Sequence, residues 1–200
     1  MALSKSVVIT ARRAVSARGS LIGCFVMGGE CSPQPDARVR LGREGVEGVQ
    51  LDRESSEIVA AAAETIIAQL GPHGLDALIN CAGVLVASPV ELIPDDELRR
   101  AFEVNVIGPI SLTRRLLPSL RAARGRIVNI GAISAQTTPP FLGAAGATKC
   151  ALASFNDALR RECAKFGVEV VLIEPGALKT DIFVTAAKPR RRFSTGLQSK

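Results

Sequence analysis

The sequence predicts an α/β fold built on a doubly wound, Rossmann-type parallel sheet. Short runs such as Ser6–Thr10 and Val168–Ile173 are strongly apolar instead of alternating, which is typical of parallel strands buried on both faces. A longer stretch, Glu54–Leu70, carries apolar residues at helical spacing. Because such strands and helices alternate along a chain of 200 residues, we expect one domain with helices packed on the sheet.

The first half of the chain contains three candidate strands and one helix. Ser6–Thr10 is a β-branched run, Val46–Leu51 ends at Asp52, and Leu75–Ile79 is a third apolar run. The helix predicted over Glu54–Leu70 is followed by Gly71-Pro72, which predicts its end.

The second half predicts two long helices and two strands. Asp95 and Asp96 follow a proline and predict the capped start of a helix that runs to about Leu117. A strand is predicted over Arg126–Ile130 and a mostly helical segment over Phe141–Phe166. The strand Val168–Ile173 ends the pattern, because Glu174-Pro175-Gly176 follows it.

Residues 11–40 do not fit this alternation. They combine clustered arginines, two cysteines, Gly28-Gly29, Pro33 and Pro35, with no clean helical period. Neither the helix expected after the first strand nor the second strand of the sheet is evident there. We therefore treat 11–40 as an atypical segment and expect it to be the least ordered part of the fold.

The net charge of +6 is concentrated at one end of the chain. Five of the six net charges belong to residues 188–200, which contain no acid: Lys188, Arg190, Arg191, Arg192 and Lys200. We interpret 188–200 as a disordered basic tail attached to a single domain over residues 1–187. Contact with nucleic acid is the alternative, but the chain has no Trp or Tyr on which bases could stack.

Cysteine and histidine usage predicts neither a disulfide framework nor a metal site. The five cysteines are odd in number and scattered, which indicates reduced thiols and a cytoplasmic location. His73 lies in a turn and has no second histidine with which to bind a metal. No apolar run approaches the roughly 20 residues of a membrane span, and the N-terminus lacks the pattern of a secretory signal.

The most specific motif lies in Gly125–Cys150, which reads GRIVNIGAISAQTTPPFLGAAGATKC. This segment resembles the active-site stretch of the short-chain dehydrogenase/reductase family, in which a Tyr precedes a Lys by four residues and a Ser follows the preceding strand. Lys149 matches the family Lys. Ala145 stands at the Tyr position and Ala132 at the Ser position, and the chain contains no Tyr at all.

Further motifs follow in the family's order. Asn80-Cys81-Ala82-Gly83 resembles the N-N-A-G turn that stabilises the sheet beside the cofactor. Asn105 resembles the Asn that bends its helix and holds a water in a proton relay, so the resemblance assigns relay roles to Asn105 and Lys149. The cofactor contacts that it implies come from Asp52, Asn80, Ala82, Gly83, Lys149, Pro175, Gly176 and Thr180. Family members usually continue beyond the position of Thr180, so we expect a C-terminally short member.

Three departures from the family pattern predict impaired catalysis. Ala145 cannot deliver a proton to a developing alkoxide, and a positioned general acid contributes roughly 10²–10⁴ in rate. Ala132 removes a hydroxyl that would hydrogen-bond the substrate oxygen. The glycines of the family's phosphate loop are missing after Thr10, where Arg12 and Arg13 follow instead, so the tight turn that holds a pyrophosphate is sterically poor.

The resemblance implies an NAD- or NADP-dependent oxidoreductase of a small-molecule alcohol or carbonyl substrate. The stretch Gly125–Asp181 resembles the branch that acts on steroids, retinoids and other lipophilic alcohols. With the three departures, we expect weak cofactor binding and a pseudoenzyme without a metal, and a homo-oligomer stays open. The alternatives are a non-catalytic binding or assembly partner that keeps the fold, and a frameshifted gene product without function.

The frameshift alternative rests on residues 11–40. Codons for Thr10–Pro33 can be written so that one inserted nucleotide yields TGASSGIGARLADRLLRDGWRVFA, which contains a complete family phosphate loop, an amphipathic helix and a strand. We therefore hypothesise that residues 11 to about 40 are translated out of frame, with a compensating shift near Leu41. Unrelated codons in the coding DNA would contradict this hypothesis.

Overall fold

The computed structural model describes residues 6–11, 24–28, 46–51 and 53–177. This part of the chain forms a six-stranded parallel sheet with the order β3-β2-β1-β4-β5-β6. The strands are β1 (Val7–Ala11), β2 (Cys24–Gly28), β3 (Val46–Gln50), β4 (Ala77–Asn80), β5 (Arg126–Ile130) and β6 (Glu169–Ile173). The order reverses between β1 and β4, as in a doubly wound sheet, so the predicted fold class is confirmed.

Four α-helices accompany the sheet in the described residues: α1 (Ser56–Gln69), α2 (Asp95–Phe102), α3 (Gly108–Ala123) and α4 (Gly143–Ala164). Ser55 caps α1, since its hydroxyl accepts a hydrogen bond from the backbone N–H of Ile58 at 3.3 Å. Helix α3 ends at Arg124, whose backbone adopts the left-handed conformation. Gly125 follows, where a Cβ would collide with the carbonyl oxygen of Leu75.

The continuous helix expected from Asp95 to about Leu117 is wrong in two respects. A π-helical turn over Glu103–Ile107 separates α2 from α3, and α3 continues through Pro118 to Ala123. The helix passes Pro118 because Leu116 and Leu120 are fully buried, and their burial outweighs a proline cost of about 3 kcal/mol.

The expected cap of α2 is also different. Pro94 occupies the N-cap position and no side chain caps the helix, whereas Asp95 and Asp96 lie in the first turn. There the two carboxylates face the positive end of the helix dipole, which favours the same helix start without a capping hydrogen bond.

The atypical segment supplies the strand that sequence reasoning could not find. β2 lies within it, hydrogen-bonded to β1 on one side and β3 on the other, with Phe25 opposite Val8 and Glu47. The strand becomes evident only with its neighbours, because its register depends on two strands distant in sequence. The remainder of residues 12–40 and the tail 188–200 lie outside the described residues, as do the expectations about their order.

The apolar core lies on the face of the sheet that carries α1 and α3. The crossovers from β3 to β4, from β4 to β5 and from β5 to β6 all run in the same direction across the sheet. Because such crossovers are almost always right-handed, their helices are expected on the same face. Val8, Leu78 and Ile127 point into this core and are fully buried. On the other side of β6, Val171 and Ile173 are exposed by 38% and 47%. No helix among the described residues is both long enough and apolar enough to span a membrane.

Candidate active site

The candidate site residues meet at the carboxyl edge of the sheet. Asn80 ends β4 and Cys81–Gly83 follow it, Ala132 follows β5, and Pro175-Gly176 follow β6. Asn105 and Lys149 reach the same edge from the π-helical turn and from α4. Asp52 and Thr180 lie outside the described residues. Ligands of open α/β sheets bind at this edge, next to the point where the strand order reverses.

Asn105 is held by three hydrogen bonds at the centre of this edge. Its Oδ1 accepts from the N–H of Val84 at 2.8 Å, and its Nδ2 donates to the carbonyl of Val84 at 2.9 Å. The same Nδ2 donates to Oγ1 of Thr148 at 3.1 Å. The wider π turn carries Asn105 inward, where only 2% of its surface is exposed. The amide therefore joins the turn after β4 to α4.

Thr148 continues this network along α4. Its hydroxyl donates to the carbonyl of Ala145 at 2.8 Å while it accepts from Asn105, and the side chain is fully buried. Ala145 lies one helical turn before Lys149, so both face the same side of α4. The methyl group of Ala145 is buried, with 6% exposure. A methyl group thus occupies the place where the resemblance expects a phenol.

Lys149 is a half-buried amine without a carboxylate partner among residues 53–177. Its Nζ donates to the carbonyl of Ile130, at the end of β5, at 2.7 Å. Burial, and to a smaller extent the cation of Arg53, lower the pKa of Lys149 to about 8, while Cys81 acts in the opposite direction. Near neutral pH the amine is therefore close to the point at which it loses its charge.

Arg53 is a site residue that sequence reasoning missed. Its Nη1 donates to the carbonyls of Ala82 at 2.7 Å and Val104 at 2.9 Å. The aliphatic part of the side chain crosses Gly108, where a Cβ would approach Cβ of Arg53 to 2.6 Å. Burial lowers the pKa of Arg53 to about 10, which leaves it charged at neutral pH. The signal in the sequence that could have identified Arg53 is its position directly after Asp52.

Asn80 is buried and faces the interior of the sheet. Its Nδ2 donates to Oδ1 of Asn129 at 2.8 Å and to Oγ1 of Thr113 at 3.1 Å, and Asn129 donates to Asn156 at 2.9 Å. Asn80 and Asn129 are register partners on adjacent strands, which explains their contact. This polar ladder supports the strand ends from behind. Its members are separated by 27 to 49 residues in sequence, so no local motif announces it.

The turn Cys81–Gly83 is tied to β1. The carbonyl of Thr10 accepts from the N–H groups of Cys81 and Ala82 at 3.2 and 2.9 Å. A Cβ at Gly83 would lie 3.2 Å from Oδ1 of Asn105 and 3.9 Å from Nζ of Lys149. The glycine therefore lets bare backbone pass next to both functional groups.

The loop after β5 is joined to the segment after β6. The N–H of Ile133 donates to the carbonyl of Pro175 at 3.0 Å, and the N–H of Gly131 donates to Ile173 at 2.8 Å. Ala132, in an extended conformation between them, presents only a methyl group. Gly176 is exposed, with no atom within 4 Å of a Cβ built on it. Backbone contacts thus hold this side of the site without the Ser hydroxyl.

The described residues contain no group of three or more His, Cys, Asp or Glu side chains that could hold a metal ion. His73 is exposed in the turn before β4, with its Nε2 3.3 Å from Oδ1 of Asp76. Among the described residues, the carboxyl edge presents the amine of Lys149, the guanidinium of Arg53, side-chain amides and backbone groups.

Comparisons with known proteins agree with this arrangement. The profile of the short chain dehydrogenase family matches residues 29–191. The NADPH-dependent 3-dehydrocapnine reductase of Ornithobacterium rhinotracheale is 42% identical over 130 residues, which are 62% of this chain and 46% of that protein. Retinol dehydrogenase 16 of Homo sapiens is 39% identical over 138 residues, which are 68% of this chain and 43% of the relative. The chain thus spans less than half the length of these relatives.

A solved structure shows the same fold over most of the chain. A short-chain dehydrogenase from Streptomyces avermitilis superposes with a TM-score of 0.77 and 28% identity, covering 91% of this chain and 69% of that one. The strand order, the motif series at the carboxyl edge and the matched profile lead to one conclusion. The chain belongs to the short-chain dehydrogenase family.

Proposed function

We propose that this chain is a short-chain dehydrogenase domain of NAD(P)-dependent, alcohol- or carbonyl-directed ancestry that has lost efficient hydride transfer. The observation that carries the proposal is the buried methyl group of Ala145 beside Lys149, with Asn105 and Thr148 still hydrogen-bonded around it. The two residues to which the resemblance assigns relay roles, Lys149 and Asn105, are both held by hydrogen bonds, whereas position 145 carries no acid. Ala132 removes the substrate-orienting hydroxyl as well.

The residues at the carboxyl edge fit the nicotinamide side of a dinucleotide cofactor. Lys149 supplies an amine, Gly83 supplies bare backbone, and Pro175-Gly176 are joined to the loop of Ala132 through the hydrogen bond from Ile133 to Pro175. The cofactor supplies hydride-transfer chemistry when it is bound. The residues of the chain hold and orient it, but the sequence lacks the glycines that would hold a pyrophosphate after Thr10. We therefore propose weak NAD or NADP binding.

The relatives support a lipophilic alcohol or carbonyl as the ancestral substrate, since one of them is named as a retinol dehydrogenase. The free thiols of Cys81, Cys150 and Cys163 support a cytoplasmic location as part of the same proposal. Sedimentation of the purified chain would measure its oligomeric state.

Turnover tests the proposal. The unmodified chain is assayed with NAD(H) and NADP(H) against retinol, a steroid alcohol and their carbonyl forms. We expect no turnover above background, and the double variant Ala132→Ser with Ala145→Tyr does not restore it, because the phosphate loop is missing too. Substantial turnover by the unmodified chain refutes the loss of catalysis.

Cofactor affinity is a separate test. Nucleotide fluorescence titration is expected to give a dissociation constant weaker than about 1 µM, equivalent to about −8 kcal/mol. Lys149→Met should weaken binding further, whereas Lys165→Met, at an exposed end of α4, should not. A dissociation constant below about 1 µM would show that other groups, such as Arg12 and Arg13, replace the glycines.

A second candidate is a binding or assembly partner that keeps the fold without catalysis. The fully bonded amide of Asn105 and the continuous apolar core favour it, because both preserve shape without needing the acid. Cooperative unfolding of a soluble product is expected from such a protein. An aggregated product without a cooperative transition favours a damaged gene product instead.

A further inference from the structure

A cluster of positive charge lies at the amino edge of the sheet, opposite the candidate active site. Helices α3 and α4 end there, at Ala123 and Ala164, just before β5 and β6 begin. The guanidinium carbon of Arg121 lies 4.0 Å from the centroid of the Phe166 ring, and Nζ of Lys165 lies 5.0 Å from the same centroid. One exposed aromatic ring therefore holds two cations beside it.

Arg124 adds a third cation at this edge. It follows α3 with a left-handed backbone, and a Cβ built at Gly167 would lie 3.3 Å from its Cδ. The bare backbone of Gly167 thus lets the Arg124 side chain pack against the residue next to Phe166. We refer to Arg121, Arg124 and Lys165 together as the cationic cluster.

The described part of the chain does not neutralise the cationic cluster. Within residues 53–177, none of its three side chains has a carboxylate oxygen within 4.0 Å. The neighbouring acids Glu169 and Asp157 pair with other cations, since Arg126 donates to Glu169 and Arg160 donates to Asp157. Like charges repel one another, so an arrangement that gathers them around one ring favours the arrival of an anion.

We propose that the cationic cluster is a docking surface for a short acidic segment of a partner protein. A guanidinium that stacks on an aromatic ring keeps its N–H donors in its own plane, where a carboxylate can accept two of them. Lys165 and Arg124 supply further donors for neighbouring carboxylates. The exposed part of Phe166 offers an apolar surface for an aliphatic side chain of the segment.

The size of the cationic cluster favours a narrow acidic segment over a broad anionic surface. Anionic membranes are recognised by clusters of roughly four to eight basic residues, whereas the described residues bring three together here. Glu162, exposed one helical turn before Phe166, also repels a flat anionic surface but leaves room for a segment that lies beside it. The surface is remote from the carboxyl edge, so its function does not depend on catalysis.

Peptide binding to the full chain tests the proposal. Fluorescence anisotropy follows a fluorescein-labelled polyglutamate peptide at low ionic strength, where charge pairs are least screened. The cluster variant combines Arg121→Gln, Arg124→Asn and Lys165→Gln, with Asn at position 124 because it tolerates a left-handed backbone. We expect its affinity to be lower by at least about tenfold, since three exposed charge pairs are lost.

A control variant removes the same amount of charge elsewhere on the surface. It combines Arg99→Gln, Arg115→Gln and Arg160→Gln, at three exposed positions outside the cationic cluster. Both variants have the same net charge, so a general attraction to the basic chain would weaken equally in the two. A larger loss in the cluster variant supports the docking surface. Equal losses, or no binding of the peptide to the unmodified chain, overturn it.

The ring can be tested without any change in charge. Phe166→Leu removes the surface on which Arg121 and Lys165 lie, so affinity for the peptide should fall about two- to fivefold. Unchanged affinity in a Phe166→Leu variant that keeps the circular dichroism spectrum of the unmodified chain contradicts the proposed arrangement. If that variant does not fold, the comparison of the cluster and control variants decides the matter.

Vesicle binding distinguishes the proposed partner from a membrane. Cosedimentation with phosphatidylserine vesicles should weaken to the same extent in the cluster and control variants, because such binding responds to the charge of the whole surface. A loss of vesicle binding that is confined to the cluster variant and exceeds its loss of peptide binding would identify a membrane-binding surface and overturn the proposal.

Discussion

The interior of this domain has two parts of opposite character, an apolar core and a polar edge. In the core, Leu112, Leu116 and Leu120 of α3 are fully buried against strand residues such as Leu78 and Ile127. At the polar edge, the buried side chains are those of Thr10, Asn80, Asn105, Thr113, Asn129, Thr148 and Asn156. The core gains stability from burial alone, whereas the buried polar groups of the edge need hydrogen-bond partners, which most of them have and Oδ1 of Asn80 lacks.

The comparison shows how the edge keeps its shape with alanine at the two positions where the family resemblance places a Tyr and a Ser. Ala145 and Ala132 present only methyl groups, which need no hydrogen-bond partner. Replacing Asn105 would leave both backbone groups of Val84 without their partner. A change at position 132 or 145 is therefore expected to reduce the stability of the domain less than a change at Asn105.

The largest effect is expected in the core. Leu116→Ala should lower the free energy of unfolding by about 3 kcal/mol, because it removes a fully buried side chain and leaves a cavity. Urea denaturation measures the change. Leu98→Ala, at a position that is 37% exposed, is the matched control and should change stability much less. Equal losses at the two positions would mean that α3 does not pack as described.

A smaller loss of stability is expected from a change at the polar edge. Asn105→Ala should lower the free energy of unfolding by about 2 kcal/mol, since the N–H and carbonyl of Val84 and the hydroxyl of Thr148 all lose a partner. Amide exchange of Val84 should accelerate in the same variant. An unchanged stability would show that the network contributes geometry but no energy.

Removing the buried amine should instead stabilise the domain. Lys149→Met should raise the free energy of unfolding at pH 7 by about 1.5 kcal/mol, a value reduced from the full pKa shift because Lys149 is only half-buried. The pKa of Lys149 in the folded chain, about 8, lies below the ordinary lysine value of 10.5, so the unfolded chain binds more protons between these pH values.

This pH window provides the control for Lys149→Met. Stability of the unmodified chain should rise through the window, so the advantage of the variant should be full below pH 8 and fade toward pH 10.5. Thermal melts at several pH values measure it. A constant advantage would mean that packing, and not charge, causes the difference.

The smallest effect is expected at the far end of the network. Thr148→Val keeps the shape of the side chain but removes the hydroxyl that bonds Asn105 and the carbonyl of Ala145, at a cost of about 1 kcal/mol. A double-mutant cycle with Asn105→Ala measures how far the two losses share one interaction. Strict additivity would contradict the network.

The amino-acid sequence alone predicts the fold class and most of the residues that meet at the carboxyl edge. Strongly apolar runs fix strands such as β5 and β6, and motif spacing locates Lys149, Asn105 and the two alanines, because these signals are local along the chain. The π turn, the passage of α3 through Pro118 and the strand β2 are decisions of tertiary packing, which outweighs local propensity. Arg53 beside Lys149 and the Asn80–Asn129–Asn156 ladder depend on contacts between residues far apart in sequence, so only the folded chain brings them together.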